Sequence, residues 1–498
     1  MISANADQIR HGGAQTRLLA IAVLAIFLVK LVLYLVVIPR YHDALWALWS
    51  IGPADNYATI SKYINLGLGY RFSPETALTL EREPGYPYFL ALLRWAFEDG
   101  YREAAIVANI VFTSISAFLI GALARSVTSL RRVALIAPLL FLLHPGTIGT
   151  ELRLGVEVPF ILLLLGFFLT LRHALCSGTL MAYLGAGLLL GAASCVRSTA
   201  LLYPFFLVPL ALLFRGGWSS LLRSAVSAAI VLIGALLVLS PWIIRNYGLV
   251  HRFIPTASVQ GVSMQVGDYI CTHGDSGLNL GDLDLAAADA RNSLAADQGY
   301  RFKPAYYQMF YDPQDEIKFN DSLARQVVQH YRDSPALFAR CTTKNLLNFW
   351  FAGKTPRSTL VNVCVQLPFM LLALAGVFIE WRRLDRVTLA MLLLFVFYTM
   401  CVYAPIHALA RYSVPLVPIL AILAAIPICR WTSRGSADRS AEIRQSEPRF
   451  GAAPLPSTRA QTRQARAARA SASADPLRLF LQARDRNRRA PHRDCSLD

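Results

Sequence analysis

Residues 54–97 read ADNYATISKYINLGLGYRFSPETALTLEREPGYPYFLALLRWAF, and the rest of the chain has to be arranged around them. Asp55 stands just beyond a first long apolar run, and Arg82-Glu83-Pro84-Gly85-Tyr86-Pro87 stands just before a short one. An acid held close to a membrane surface, followed by a rigid turn carrying an arginine, suits chemistry on a substrate that is part lipid and part water-soluble. Tyr86–Phe97 is apolar but only about twelve residues long, too short to cross a bilayer. It reads as an interfacial or re-entrant helix lying beside Asp55.

The surroundings of this stretch fix the class. Over 498 residues the chain is 55% hydrophobic and 16% charged, an apolar excess that a soluble protein could not hide from water. Runs of bilayer length are expected at 17–38, 103–124, 132–148, 156–171, 180–196, 199–214, 221–244, 360–379, 387–403 and 412–429, each long enough or nearly so to span. The expected fold is an all-α polytopic membrane protein of about ten transmembrane helices. With the N-terminus inside, the basic loops at Arg125–Arg132, Arg172, Arg215–Arg223 and Arg382–Arg386, and the tail from Arg430, all fall on the cytoplasmic side, as the positive-inside rule requires. The net charge of +17 is therefore a topology signal, and nucleic acid is not the expected partner.

The chain divides into five regions. Residues 1–16 form an inner N-terminus, with the first span retained as an anchor and not cleaved. Residues 17–247 form a transmembrane module whose first outer loop, 39–102, carries the interfacial helices. Residues 248–357 form a small outer α-rich cap, turn-rich at Gly261, Gly267, Gly274, Gly277 and Gly281 and helical from Asp315 to Phe351. Residues 358–430 hold the last spans, and 431–498 form a basic tail poor in aromatic and branched residues, the composition of a disordered segment. Cys271 and Cys341, the two cap cysteines, either form a disulfide or remain two thiols. No CxxC or Cys/His cluster marks a structural zinc site.

Several residues could carry chemistry. Asp55, near a low-dielectric surface that raises its basicity, could serve as a general base; the alternative is a helix N-cap. Arg82, fixed by two prolines and a glycine, could grip a phosphate with both arms, or could be a solvated turn residue. Arg197, Arg245 and Arg411 arrive at the outer face from separate spans, where they could together hold a diphosphate or a lipid phosphate; singly, each is an interface anchor. Glu157 favours a helix N-terminus electrostatically. Lys30 lies inside the first span and is given no role. His144 and His407 are taken as structural.

Taken in order, Asp55-Asn-Tyr57, Gly67-Leu-Gly69-Tyr70, Arg82-Glu-Pro84-Gly85-Tyr86-Pro87, His144-Pro145, Glu157, Arg197, Pro241-Trp242-x-x-Arg245-Asn246 and Ala410-Arg411-Tyr412-x-x-Pro415-x-x-Pro418 resemble bacterial glycosyltransferases of the GT-C superfamily. The nearest branch is the family-39 group of protein O-mannosyltransferases and lipid A aminoarabinose transferases. The resemblance covers residues 17–430. It implies a multi-pass enzyme of the bacterial inner membrane that moves a sugar from a polyprenyl-phosphate carrier to a lipid, glycan or protein acceptor on the periplasmic face, with inversion. It implies Asp55 as the catalytic acid residue of the first outer loop, Arg82, Arg197, Arg245 and Arg411 on the donor phosphate, and Tyr57, Tyr86, Glu157 and Tyr412 on substrate. Many relatives have Asp-Glu where this chain has Asp55-Asn56, which weakens the case for a divalent metal held by an acidic pair; no cofactor or metal is assigned. Two other classes stay open. A transporter or flippase of lipid-linked sugars would show repeated halves and broken midplane helices, and a polysaccharide polymerase or ligase would use lipid diphosphates.

Overall fold

A computed structural model describes residues 2–40, 56–207, 218–274 and 279–446. Asp55 lies outside the described residues, as do 208–217 and 447–498. The chain divides into two units, Met1–Arg430 and Trp431–Asp498; of the second, only 431–446 are described, and they are helical. The membrane bundle and its cap belong to the first unit.

Among the described residues, seven helices are long and apolar enough to cross a membrane: Ala14–Val37, Gly85–Val127, Glu157–Ser177, Leu221–Val250, Pro356–Glu380, Arg386–Tyr403 and Ala410–Thr432. An eighth span is broken, with Val133–Leu143 and Pro145–Glu151 meeting at 56°. The break has a local cause. Pro145 cannot donate to the preceding turn, and His144 closes the new helix by accepting the Gly146 N–H at Nδ1, 3.1 Å away. The expectation of ten spans meets two further differences. Leu180–Val196 is a helix of 17 residues, about 25 Å long and so slightly short of the hydrocarbon core. The run expected at 199–214 opens with the 3₁₀ turns Ser198–Ala200 and Tyr203–Phe206, and its residues 208–214 lie outside the described residues. The short apolar helix is present as Gly85–Phe97, separated from Tyr101–Val127 by a single 3₁₀ turn.

One continuous apolar core joins the first span to the helices up to Cys429. With hydrocarbon outside, association of such helices depends on close backbone approach. Gly187-x-x-x-Gly191 supplies it: a Cβ at Gly191 would come within 2.6 Å of the Ala235 carbonyl oxygen on the neighbouring helix. A polar latch adds specificity. Lys30 Nζ lies 2.7 Å from Glu151 Oε1, while the hydroxyls of Tyr34 and Thr113 donate to the same carboxylate at 2.8 and 2.6 Å. Lys30 is therefore paired within the bundle, tying the first span to the broken one.

The two long hydrophilic connections pack on each other at one end of the bundle. Residues 251–355 hold the helices Gln260–Thr272, Leu280–Asp297, Pro313–Asp333 and Pro335–Phe351 and a two-residue hairpin, Phe302–Lys303 with Met309–Phe310. The cap is thus helical over more of its length than expected. Gly261 and Gly267 lie inside the helix Gln260–Thr272 and make no turn, because they sit where a Cβ would overlap the Asn320 and Ile406 carbonyl oxygens. Cys271 and Cys341 are disulfide-bonded, with Cα atoms 5.7 Å apart.

Candidate active site

The turn at Arg82–Pro84 is held by its neighbours. The strap leading into it is stitched to the cap, with Ala77 N donating to Phe310 O and Ser258 N to Leu80 O. Tyr70 donates its hydroxyl to the Glu83 carbonyl at 2.8 Å, and Glu83 accepts the Ser198 N–H at 3.1 Å. This docks the turn against the end of helix Leu180–Val196, and so brings Arg82 and Arg197 to one region.

From there the expected residues form a strip. Arg82 stacks over Tyr307 at 3.9 Å and stands 5.8 Å from the Tyr57 ring. Tyr57 meets Tyr86 edge to face at 5.4 Å, and the buried Tyr86 hydroxyl is close enough to Glu157 to sense its charge. Arg197 Nη1 lies 3.9 Å from Glu157 Oε1, and its Nε donates to the Tyr403 hydroxyl at 3.0 Å. Tyr403 stacks on Tyr412 at 4.7 Å, and the guanidinium of Arg197 lies 5.0 Å from the Tyr412 ring. Arg411 completes the strip, 5.2 Å from the same ring and within electrostatic reach of Arg197. One of these guanidinium groups, Arg197, thus faces a carboxylate, and the three together face four aromatic rings, a donor-rich surface suited to an anion and a sugar ring.

Arg245 is placed differently. It donates to Thr79 O at 3.0 Å and to Asn246 Oδ1 at 2.9 Å, and stacks over Trp242 at 4.3 Å, which makes it a brace beneath the strap. Helix Tyr57–Asn65 begins at Asn56, whose φ of +60° is left-handed. Asparagine tolerates that conformation better than glutamate does, which gives a physical reason for the Asp-Asn pair at 55–56.

Three groups carry weight that the sequence reading missed. Glu81 and Glu316 are buried where strap and cap meet. Glu316 accepts the Leu80 N–H at 2.8 Å; burial, then repulsion from Glu81, pushes its carboxyl up to about 8. Burial likewise pushes Glu81 up to about 7, against the pull of Arg82 and Arg291. Arg291, fully buried, is held by Gln265 and the Tyr306 carbonyl. In sequence, Glu81 is one of three consecutive charges and looks like part of a solvated turn; only its alternation with buried Leu80 hints otherwise. Among the described residues no three His, Cys, Asp or Glu side chains are grouped to hold a metal ion, and Glu157 is faced by Arg197.

Fold and site together define a polytopic membrane protein with a cationic, aromatic strip at the capped end of its bundle. Residues 81–244 match the family described as Dolichyl-phosphate-mannose-protein mannosyltransferase. The archaeal oligosaccharyltransferase AglB of Archaeoglobus fulgidus, solved with an inhibitory peptide and a dolichol-phosphate, matches at a TM-score of 0.50 and 14% identity over 88% of this chain and 52% of its own. The apo form of the Archaeoglobus fulgidus enzyme matches at 0.49 and 13%, over the same shares. ArnT of Cupriavidus metallidurans bound to undecaprenyl phosphate gives 0.37 and 15%, over 83% and 78%. A search of curated proteins found no significant match. The chain spans about half the length of the oligosaccharyltransferase chains. The family match covers about a third of the chain, and the likeness to the oligosaccharyltransferase is one of fold.

Proposed function

We propose that this protein transfers a sugar from a polyprenyl-phosphate carrier to an acceptor at the capped end of the bundle, on the periplasmic face of a bacterial inner membrane. The observation that supports this reading is the strip from Arg82 through Tyr57, Tyr86, Glu157 and Arg197 to Arg411, which offers guanidinium donors beside aromatic faces at a membrane-spanning bundle's end. The dolichol-phosphate named with AglB is a ligand of the same chemical kind.

In the reaction, an acceptor oxygen or nitrogen attacks the anomeric carbon from the side opposite the phosphate. The bond from that carbon to the phosphate oxygen breaks, and the configuration inverts. Asp55, adjoining the start of helix Tyr57–Asn65, takes the acceptor proton. Arg197 and Arg411, with Arg82 across the strip, stabilise the negative charge left on the carrier phosphate, the kind of preorganised term that dominates many rate enhancements. Glu157 orients Arg197, and Tyr412 supports both cations. The contacts of Arg245 suit bracing the strap that carries Arg82.

The test is Asp55→Asn, assayed with lipid-monophosphate sugars. Asparagine keeps the size of aspartate but cannot take the proton, so transfer should fall about 10²–10⁴-fold while carrier binding persists. Turnover within a few-fold of the parent would sink the mechanism. The break at His144 is a feature shared with carriers built on broken helices; translocation of intact lipid-linked sugar by Asp55→Asn vesicles would favour that second reading.

A further inference from the structure

Glu151 ends helix Pro145–Glu151 and Glu157 opens helix Glu157–Ser177, so only the connection 152–156 separates the buried latch from the carboxylate that faces Arg197. Four side chains hold the near end of that connection. Lys30 and Tyr34, four residues apart on the first span, reach the Glu151 carboxylate at 2.7 and 2.8 Å, and Thr113 donates to it at 2.6 Å. Asn109, four residues before Thr113 on helix Tyr101–Val127, donates its Nδ2 to the carbonyls of Glu151 and Arg153 at 2.9 and 3.3 Å. Side chains at that spacing share a helix face. Each helix thus offers one pair, and both pairs close on the same connection.

Packing carries the constraint on to Glu157. Leu152 is buried in a cluster with Tyr34 and Ile110, Val156 joins the main core, and Glu157 is itself buried. Gly155 lies so close to the carboxylate that a Cβ there would stand 2.5 Å from Glu157 Oε2. Arg197 Nη1, 3.9 Å from Glu157 Oε1, has no hydrogen-bond partner among the described residues, so the place of the carboxylate sets where that arm points. An ion pair inside a membrane bundle is costly, and apolar side chains of like size often hold a core as well or better. Stability alone therefore does not account for the four polar groups gathered on this connection, whereas fixed placement does.

We propose that Lys30, Tyr34, Asn109 and Thr113 are positioning residues for transfer: they fix the connection from Glu151 to Glu157 and, through Glu157, aim Arg197 at the departing phosphate. This rests on the role given to Arg197 above. None of the four side chains touches substrate; each acts through the backbone or carboxylate of Glu151.

The test is Asn109→Leu in the full-length protein in nanodiscs, read in two ways. Hydrogen exchange of peptides covering 151–157 should quicken about tenfold, the worth of the two lost hydrogen bonds, while peptides covering 313–333 exchange as in the parent. The kcat for transfer from a lipid-monophosphate sugar should fall about 10–100-fold with KM little changed, the scale of a misplacement of about 1 Å. In a Glu157→Gln background, where the route is already cut, the same substitution should cost less than about twofold. Tyr34→Phe combined with Thr113→Val, which keeps the bulk of both side chains and leaves Lys30 on Glu151, should act in the same direction. Ser114→Ala, which removes a hydroxyl bonded to Ile110 of its own helix, should change nothing. Unaltered exchange at 151–157 would overturn the clamp. An undiminished kcat loss from Asn109→Leu in the Glu157→Gln background would overturn the route through Glu157, because a merely structural defect adds to any other. The exchange measurement involves no sugar, so it stands or falls apart from the transfer assigned to Asp55.

Discussion

Replacing Glu316 by glutamine should remove a pH-dependent weakness from the junction of strap and cap. Glu316 is buried and accepts the Leu80 N–H at 2.8 Å. Glu81 faces it with a second carboxyl, while Arg82, Arg291 and Arg245 are the cations near the pair. Its carboxyl moves from 4.5 to about 8 on folding, so between those pH values the folded protein keeps a proton that the unfolded chain has lost. The unfolded state then binds fewer protons, and stability falls as pH rises. The contribution is fully present below 4.5 and lost by about 8. The slope is about 1.4 kcal/mol per pH unit, which over this window amounts to about 5 kcal/mol at most. Glutamine keeps an acceptor for Leu80 and cannot ionise, so Glu316→Gln should flatten the profile and stabilise the junction most at pH 8. Hydrogen exchange of peptides covering 79–84 and 313–333, corrected for intrinsic rates and followed from about pH 5 to 8.5, reads the opening free energy directly. Equal slopes in parent and variant would refute the reasoning, because the buried carboxyl would then not be the titrating group.

Two other substitutions test the packing. Lys30→Met strands Glu151 in the bundle and should cost about 3–5 kcal/mol, read as a drop in thermal stability in detergent; adding Glu151→Leu should restore most of it, and an unchanged single variant would show the pair to be idle. Gly267→Ala puts a Cβ onto the Ile406 carbonyl and should destabilise the cap by about 1–3 kcal/mol, seen as faster proteolysis of 251–355, whereas Gly299→Ala, with nothing within 4 Å, should show only the strain of its positive φ.

The sequence by itself determined the class and much of the layout. Apolar runs of bilayer length follow from composition and length alone, so most of the spans, the short helix after Arg82 and the two polar connections were legible without coordinates. The order of the motifs also pointed to the family description that residues 81–244 match. Tertiary structure decided how the motifs meet. That Arg197 pairs with Glu157 across forty residues while Arg245, in an equally suggestive motif, braces Thr79 depends on helix packing that no local pattern encodes. The pairing of Lys30 with Glu151 across 121 residues turned an apparent anomaly into a latch. Gly261 and Gly267, which read as turns, proved to be contact points inside a helix, because a missing side chain signals either a bend or a close neighbour, and only the neighbour's position distinguishes them. The burial of Glu81 and Glu316 was hidden for the same reason: a charge's environment is a property of what folds over it.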